Sequence, residues 1–193
     1  MKLALFGKGG HAREVAVQIG EPVTYFVDDN FVDEKSNPLS LFDPEKYLMM
    51  VAVSDVNDRK RIISKLPQQT KYFTFIHPTA LIMDENVEIG VGSFIGAYSV
   101  ITTNVKIGQH SILNRGNQIG HDTVIGDFFS AMPGAIISGN VTIGEQVYMG
   151  TNSSIKEKLH ISSNVTIGSN AAVVKNIITS GVYVGVPVKF KKK

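Results

Sequence analysis

From residue 83 onward the chain carries an aliphatic or small residue at every sixth position. The series runs Met83, Ile89, Ile95, Ile101, Ile107, Leu113, Ile119, Ile125, Ala131, Ile137, Ile143, Met149, Ile155, Ile161, Ile167 and Val173 without a slip. Two positions before each marker stands a small or β-branched residue, as at Val87, Ser93, Val105, Thr123, Val141 and Val165. Glycine often follows the marker, as at Gly90, Gly96, Gly108, Gly120, Gly126, Gly144, Gly150 and Gly168. A period of six fits neither the 3.6 of an α-helix nor simple strand alternation. It is the mark of a solenoid built from hexapeptides. Each hexapeptide makes a short strand and a corner, with the marker pointing inward onto its equivalent in the next coil. Corners call for residues that tolerate positive φ, which accounts for the abundance of Gly and Asn. If three hexapeptides close a triangular coil, a coil takes roughly 18 residues and the repeat makes about five coils. At ~4.8 Å per stacked strand the prism is about 24 Å tall.

The first 76 residues follow a different pattern. Lys2 to Phe6 reads as a buried strand and leads into Gly7-Lys8-Gly9-Gly10-His11-Ala12 and a helix through Val15 to Ile19. A second strand, Val23 to Val27, ends in Asp28-Asp29; residues 30 to 46 read as a loop; Tyr47 to Val53 is a third strand. Ser54 or Asp55 caps a helix that runs to about Leu66, and Tyr72 to Ile76 is a fourth strand. Strands alternating with helices imply a small parallel α/β sheet. His77-Pro78-Thr79 then hands the chain to the solenoid, so the expected division is 1–76 and 77–193. After Val173 the period fails, Gly185-Val186-Pro187 marks a turn, and Lys189-Phe190-Lys191-Lys192-Lys193 reads as a solvated tail.

Composition narrows the function. With 193 residues and a formal net charge of +2, no strong field draws nucleic acid. The absence of cysteine removes disulfides, thiolate metal sites and a cysteine nucleophile. Leu3 to Phe6 is too short for a signal peptide, and no stretch approaches the ~20 apolar residues of a membrane span. The expectation is a soluble cytoplasmic protein without membrane insertion.

Two stretches carry candidate chemistry. Gly7, Gly9 and Ala12 fit G-x-G-x-x-A between a strand and a helix, with Asp28 at the end of the next strand. Amides at such a helix start can hold a diphosphate, and the acid a ribose hydroxyl. The segment is long enough for one mononucleotide half, so a nucleotide diphosphate fits better than a dinucleotide; the alternative is a tight turn without a ligand. In the solenoid, His121 follows Ile119-Gly120 and so occupies a corner, with Asp122 beside it to orient the imidazole. One coil on, the stacked corner residue is Gly139. A base next to a glycine amide free to act as an oxyanion donor is what acyl transfer requires. The alternative is a solvated histidine over a routine corner glycine.

The order of parts resembles the bacterial sugar O-acyltransferase and sialic acid acetyltransferase family of hexapeptide-repeat proteins. Within it, the likeness is strongest to N-acetyltransferases that act on UDP-linked 4-amino-6-deoxy sugars, as in the bacillosamine pathway. The resemblance implies a left-handed parallel β-helix after a Rossmann-like α/β domain, and acetyl-CoA as donor with no metal. It also implies a role in bacterial glycan (lipopolysaccharide or O-antigen) biosynthesis. Asn114, His121 and Asp122 match the family's active-site spacing. By resemblance His121 is the base, Asp122 its companion, and the Gly139 amide the thioester-carbonyl donor. The nucleotide contacts fall on Gly9, Gly10, His11, Asp28 and Asp29. Coenzyme A lies in a groove between prisms of a homotrimer, along which Thr151 and Ser169 hold matching positions. The family's alternative chemistry is O-acetylation of a sialic acid or another sugar hydroxyl, and a non-catalytic solenoid scaffold is a third reading.

The chain departs from the pattern in three places. A second histidine nine residues after the base is here Ser130; the companion acid is Asp122 where relatives often have Glu; and the terminal turn reads Gly-Val-Pro-Val. His77 reads as a structural residue at the junction, and His110 and His160 as solvated. The spacing of His110 and His121 does not suit the close histidine pair of a β-helical zinc carbonic anhydrase.

Overall fold

The computed structural model describes residues 1–191; Lys192 and Lys193, the end of the expected tail, lie outside the described residues. The N-terminal part is a parallel five-stranded sheet in the order β3-β2-β1-β4-β5. Its strands are β1 (Lys2–Phe6), β2 (Val23–Val27), β3 (Asn37–Pro38), β4 (Tyr47–Val51) and β5 (Lys71–Tyr72). Alternation along β1 and β4 divides two cores. Ala4, Phe6, Met49 and Val51 pack with Ile62 of the helix α2 (Val56–Lys65) and with Leu66, its C-cap. Leu5 and Met50 pack with Ala12 and Val15 of the helix α1 (Gly10–Ile19), together with Phe94 and Ile112 of the solenoid. Asp55 caps α2 by accepting from the N–H groups of Asn57 and Asp58, an arrangement worth about 1 kcal/mol. α1 ends on Gly20 in the left-handed conformation.

Three elements differ from the sequence reading, one of them the expected solvated tail, where Lys189–Phe190 pairs antiparallel with Tyr183–Val184. The stretch 30–46 holds strand β3, which extends the sheet by pairing Phe26 with Asn37 and Val27 with Pro38. A two-residue strand is too short to carry a hydrophobic period. The expected strand Tyr72 to Ile76 is two elements: Lys71–Tyr72 pairs with β4, whereas Phe75–Ile76 pairs with Phe94–Ile95 as the first rung of the solenoid.

The solenoid is a triangular left-handed β-helix with three parallel faces, apart from one antiparallel pair at its C-terminal end. Face I begins with Phe75–Ile76, Phe94–Ile95 and Ile112–Leu113, face II with Leu81–Ile82 and Val100–Ile101, face III with Glu88–Ile89 and Lys106–Ile107. One coil separates Val100 from its partner Gln118, and Lys106 from Val124. From Ile89 on the markers end these strands, and from Ile95 to Val173 every one is buried; Met83 lies one place beyond Leu81–Ile82 and is exposed, so Ile82 takes the inward place there. Filling the axis with side chains of this size contributes roughly 1.5–3 kcal/mol per fully buried residue.

The corners separate two roles that the sequence had merged. Positive φ falls three places after the marker, at Asn104 (53°), Asn140 (59°), Asn164 (59°) and Asn170 (55°), and also at Tyr98, His110, Phe128 and Lys158. The glycines directly after the marker are not in that region. They are needed for close approach: a Cβ on Gly120 would lie 2.5 Å from the Gly139 nitrogen, and one on Gly90 2.4 Å from the Gln109 nitrogen. The strand edge there runs against the backbone of the next coil, and no side chain fits.

The α/β body sits on face I, whose outward residues Phe94, Ile112 and Ser130 are buried beneath it. The fastening is Arg59 of α2, only 1% exposed. Its guanidinium donates to the carbonyls of His110 (2.8 Å), Val53 (2.6 Å), Phe128 (2.9 Å) and Phe129 (3.0 Å), with a longer bond to Ser54 (3.3 Å). Burial, only partly opposed by the charge of Asp55, lowers its pKa to about 9. His110 belongs to the same junction and is buried, not solvated as its sequence position suggests. It packs edge-on against Tyr72 at 4.6 Å and stacks with Phe128 at 5.5 Å. Burial first, and the Arg59 charge second, push its pKa down to about 4. His110 is therefore neutral when folded and binds a proton more readily unfolded. Its contribution is complete above the ordinary histidine value near 6.5 and is lost as pH falls toward 4. Thermal unfolding followed across this window is expected to show a loss on the order of 2 kcal/mol that a His110→Phe variant lacks. An equal loss in both proteins would contradict the assignment.

Candidate active site

His121 and Asp122 occupy the edge between faces II and III, where the strand Gln118–Ile119 turns into Val124–Ile125. Asp122 holds the left-handed corner conformation, with φ of 57°. His121 Nδ1 lies 2.8 Å from Asp122 Oδ2. The other carboxylate oxygen accepts from Asn104 Nδ2 at 2.7 Å, one coil below. The hydrogen bond from Asn104, then that with His121, lowers the Asp122 pKa. An ionised carboxylate on Nδ1 favours the tautomer with its proton there, leaving the Nε2 lone pair free. Asn140 Nδ2 stands 3.5 Å from Nδ1, one coil above. Asn104 and Asn140 escaped the sequence reading because each fills an ordinary corner position; their spacing from Asp122 and His121 by one coil was the available signal.

Gly139 is stacked against this ring. A Cβ there would lie 2.5 Å from His121 Nε2 and 2.6 Å from Cε1. The glycine therefore makes room for the imidazole itself, in addition to any ligand. Its carbonyl accepts from Lys158 N–H at 3.1 Å, while its own N–H makes no backbone hydrogen bond among the described residues. A cleft of about 230 Å³ lined by Val100, Thr102, Gln118, Gly120, Ile136 and Ser138 runs along face II to this corner.

Other candidates lie elsewhere. Asn114 is buried at the edge between faces I and II, where its Oδ1 accepts from Arg115 N–H at 2.8 Å. Thr151 and Ser169 stand exposed on that same edge, one coil apart. Within one chain, none of the three shares an edge with His121. Ser130 is fully buried and donates to the Ser54 carbonyl at 2.8 Å, so this side chain seals the domain junction and meets no ligand. His77 Nδ1 accepts from Thr79 N–H at 3.1 Å in the turn between the two parts.

In the α/β body, Gly7 adopts φ of 109° and turns the chain from β1 toward α1. A side chain there would be strained and would press on the Ala52 carbonyl at 3.3 Å. Gly9 is the N-cap of α1 and makes no side-chain capping bond. A Cβ on Gly9 or Gly10 would meet nothing within 4 Å, so the space above the helix start is open to a ligand. His11 turns its ring inward toward Phe94, and neither ring nitrogen finds a partner. Only its backbone can face a ligand at the loop. Burial is the main cause that lowers the His11 pKa. Asp28 is paired with Lys65 at 2.9 Å and Arg61 at 3.7 Å, and Asp29 Oδ1 accepts from Ser40 N–H at 3.1 Å. With Phe31, they line a cleft of about 510 Å³.

The two candidate sites therefore lie on opposite sides of the prism: the α/β body covers face I, and the His121 edge joins the other two faces. The α/β body of one chain thus lies across the prism from His121 of that same chain.

No protein-family model matches the chain. Over 171 residues it is 28% identical to a GDP-perosamine N-acetyltransferase of Escherichia coli O157:H7, a match that spans 79% of this chain and 77% of that one. Its fold is similar to that of PerB from Caulobacter crescentus in complex with CoA and GDP-perosamine. The TM-score is 0.90 at 25% identity, over 100% of this chain and 98% of that one. It is also similar to the acetyltransferase domain of PglB from Neisseria gonorrhoeae in complex with acetyl coenzyme A, with a TM-score of 0.74 and 26% identity, each chain covered to 98%. The resemblance to hexapeptide-repeat sugar acyltransferases thus extends to the whole chain. Of these three, the first is named for N-acetylation of GDP-perosamine, the second holds CoA and GDP-perosamine, and the third holds acetyl coenzyme A.

Proposed function

We propose that the protein acetylates the amino group of a nucleotide-linked amino sugar, with acetyl-CoA as donor and His121 as general base. The observation that carries the reading is the corner itself: an imidazole fixed by Asp122 at 2.8 Å, with its free nitrogen over the Gly139 backbone. The amine attacks the thioester carbonyl, Nε2 takes its proton, and the Gly139 N–H supports the charge growing on the carbonyl oxygen. The thiolate of coenzyme A leaves and is protonated. The α/β body has the parallel order β3-β2-β1-β4-β5, which follows the nucleotide-binding order through its fifth strand. We read it as a Rossmann-like fold that holds the diphosphate at Gly9, Gly10 and the His11 amide, and the nucleoside near Asp28 and Asp29.

The bacillosamine-type reading makes that nucleoside uridine. Relatives named for GDP-perosamine favour a guanosine-linked sugar as a second reading. A thermal-shift panel of UDP, GDP and dTDP, each with and without acetyl-CoA, separates them. One diphosphate is expected to raise the melting temperature by several degrees, further with acetyl-CoA. No shift with any diphosphate would defeat the nucleotide reading, and no shift with acetyl-CoA would favour a scaffold. O-acetylation of a sugar hydroxyl predicts a product labile to mild alkali, whereas an amide survives it.

The placement of the parts supports reading the assembly as a homotrimer. The acceptor has to come from a neighbouring copy, and a neighbour would also bring the Asn114, Thr151 and Ser169 edge toward the His121 edge. Sedimentation equilibrium that yields a 21.0 kDa species at micromolar concentration would exclude this arrangement.

A further inference from the structure

We propose that Lys8 is a substrate-binding residue which exchanges Asp33 for the diphosphate of the nucleotide sugar, so that the Lys8–Asp33 ion pair competes with substrate. The inference rests on the nucleotide-diphosphate reading above. Lys8 stands between Gly7 and Gly9, one residue before the N-cap of α1. Its ammonium lies 2.8 Å from Asp33 Oδ2 and donates to the Phe31 carbonyl at 2.5 Å. The phosphate loop is thereby tied to the segment that follows Asp28 and Asp29.

Asp33 does not depend on Lys8 for its place. Its other oxygen accepts from the Ser36 hydroxyl at 2.7 Å and from Lys35 N–H at 3.1 Å. Both partners are partly exposed, 35% for Lys8 and 46% for Asp33. An ion pair so open to water is weak and gives way to a better anion. Beside the pair opens a cleft of about 490 Å³ lined by Lys8, Arg13, Tyr25, Asp33 and Lys35. Three cations there face one carboxylate, and Arg13 is tied to the loop by its bond to the Lys8 carbonyl at 3.0 Å. A diphosphate on the amides of Gly9 and Gly10 would come within the sweep of the four-carbon lysine stem. The Asp33 carboxyl, held down to about 2 chiefly by its bond with Lys8, stays ionised throughout the neutral range. It therefore competes at every assay pH.

The two partners then act with opposite sign, which a purely structural tie would not produce. Titration calorimetry on the full chain, with UDP and GDP as probes, reads this directly. Lys8→Met is expected to weaken binding of the preferred diphosphate roughly ten- to a hundredfold. Asp33→Asn is expected to tighten it roughly two- to fivefold. Lys8→Arg keeps the cation and is expected to stay within about threefold of the parent. Uridine and guanosine, which lack phosphate, are expected to bind all four proteins alike. If Asp33→Asn weakens binding as Lys8→Met does, the pair is only a structural tie and the inference is overturned, even where one variant folds poorly. Normal affinity in Lys8→Met overturns it too while leaving the nucleotide reading intact. Failure of the parent protein to bind either diphosphate overturns both.

Discussion

Replacing His121 by alanine is expected to lower kcat with the true acceptor by roughly 10²–10⁴-fold, with KM for acetyl-CoA nearly unchanged. The ring is exposed and fastened only through Nδ1, by Asp122 at 2.8 Å, and so contributes little to the fold. Its loss falls on the transition state, where the amine surrenders its proton, and therefore on kcat. Asp122→Asn should cost less, because the amide still orients the ring from the same corner. Steady-state kinetics with acetyl-CoA and the nucleotide-linked amino sugar measure each outcome. Retention of more than about a tenth of kcat in His121→Ala would sink the assignment. The amine would then be losing its proton to water.

Arg59→Met should produce the largest loss of stability. Methionine keeps much of the apolar stem but none of the donors, so the guanidinium's bonds to five carbonyls disappear together. Some of these oxygens have a second donor, as when Phe129 O accepts from Ile112 N–H and Ser54 O from the Ser130 hydroxyl. Others are left buried without a partner. Breaking such a junction costs about 3–5 kcal/mol, which in a chain of this size lowers the melting temperature by roughly 10 °C. Calorimetry of the variant tests this, and a shift below about 2 °C would show that water replaces the guanidinium without cost. Acetyl-CoA binding should persist in the cold, because the His121 edge lies away from face I.

The sequence disclosed most where one physical demand repeats. A marker every sixth residue reports a single requirement, an inward side chain stacked on its neighbour, and repetition made it unmistakable. The juxtaposition of His121 and Gly139 followed from the same repeat. Readings failed where a residue's surroundings come from a different part of the chain. His110 looked like a corner histidine in water because nothing nearby in sequence announces that Tyr72 and Arg59 cover it. Ser130 stood only as a departure from the family's second histidine, because spacing along the chain does not say which face lies under the α/β body. Arg59 drew no reading from the sequence at all, and only the packing shows it turned inward. The post-marker glycines were found for a reason that is incomplete: positive φ belongs to the residue two places further on, whereas the glycine itself yields to the next coil's backbone.

The Arg59 bonds reach two successive corners of the solenoid, at His110 and at Phe128, and also the carbonyls that close β4. A rod clamped at two rungs cannot pivot about either. The junction therefore offers no hinge, and the α/β body and the prism move as one piece. Closure over a substrate is to be sought in the strap from Asp28 to Ser36, fastened to the loop before α1 through Lys8 and to α2 through Asp28. Whatever selectivity this enzyme gains by changing shape is confined to that strap.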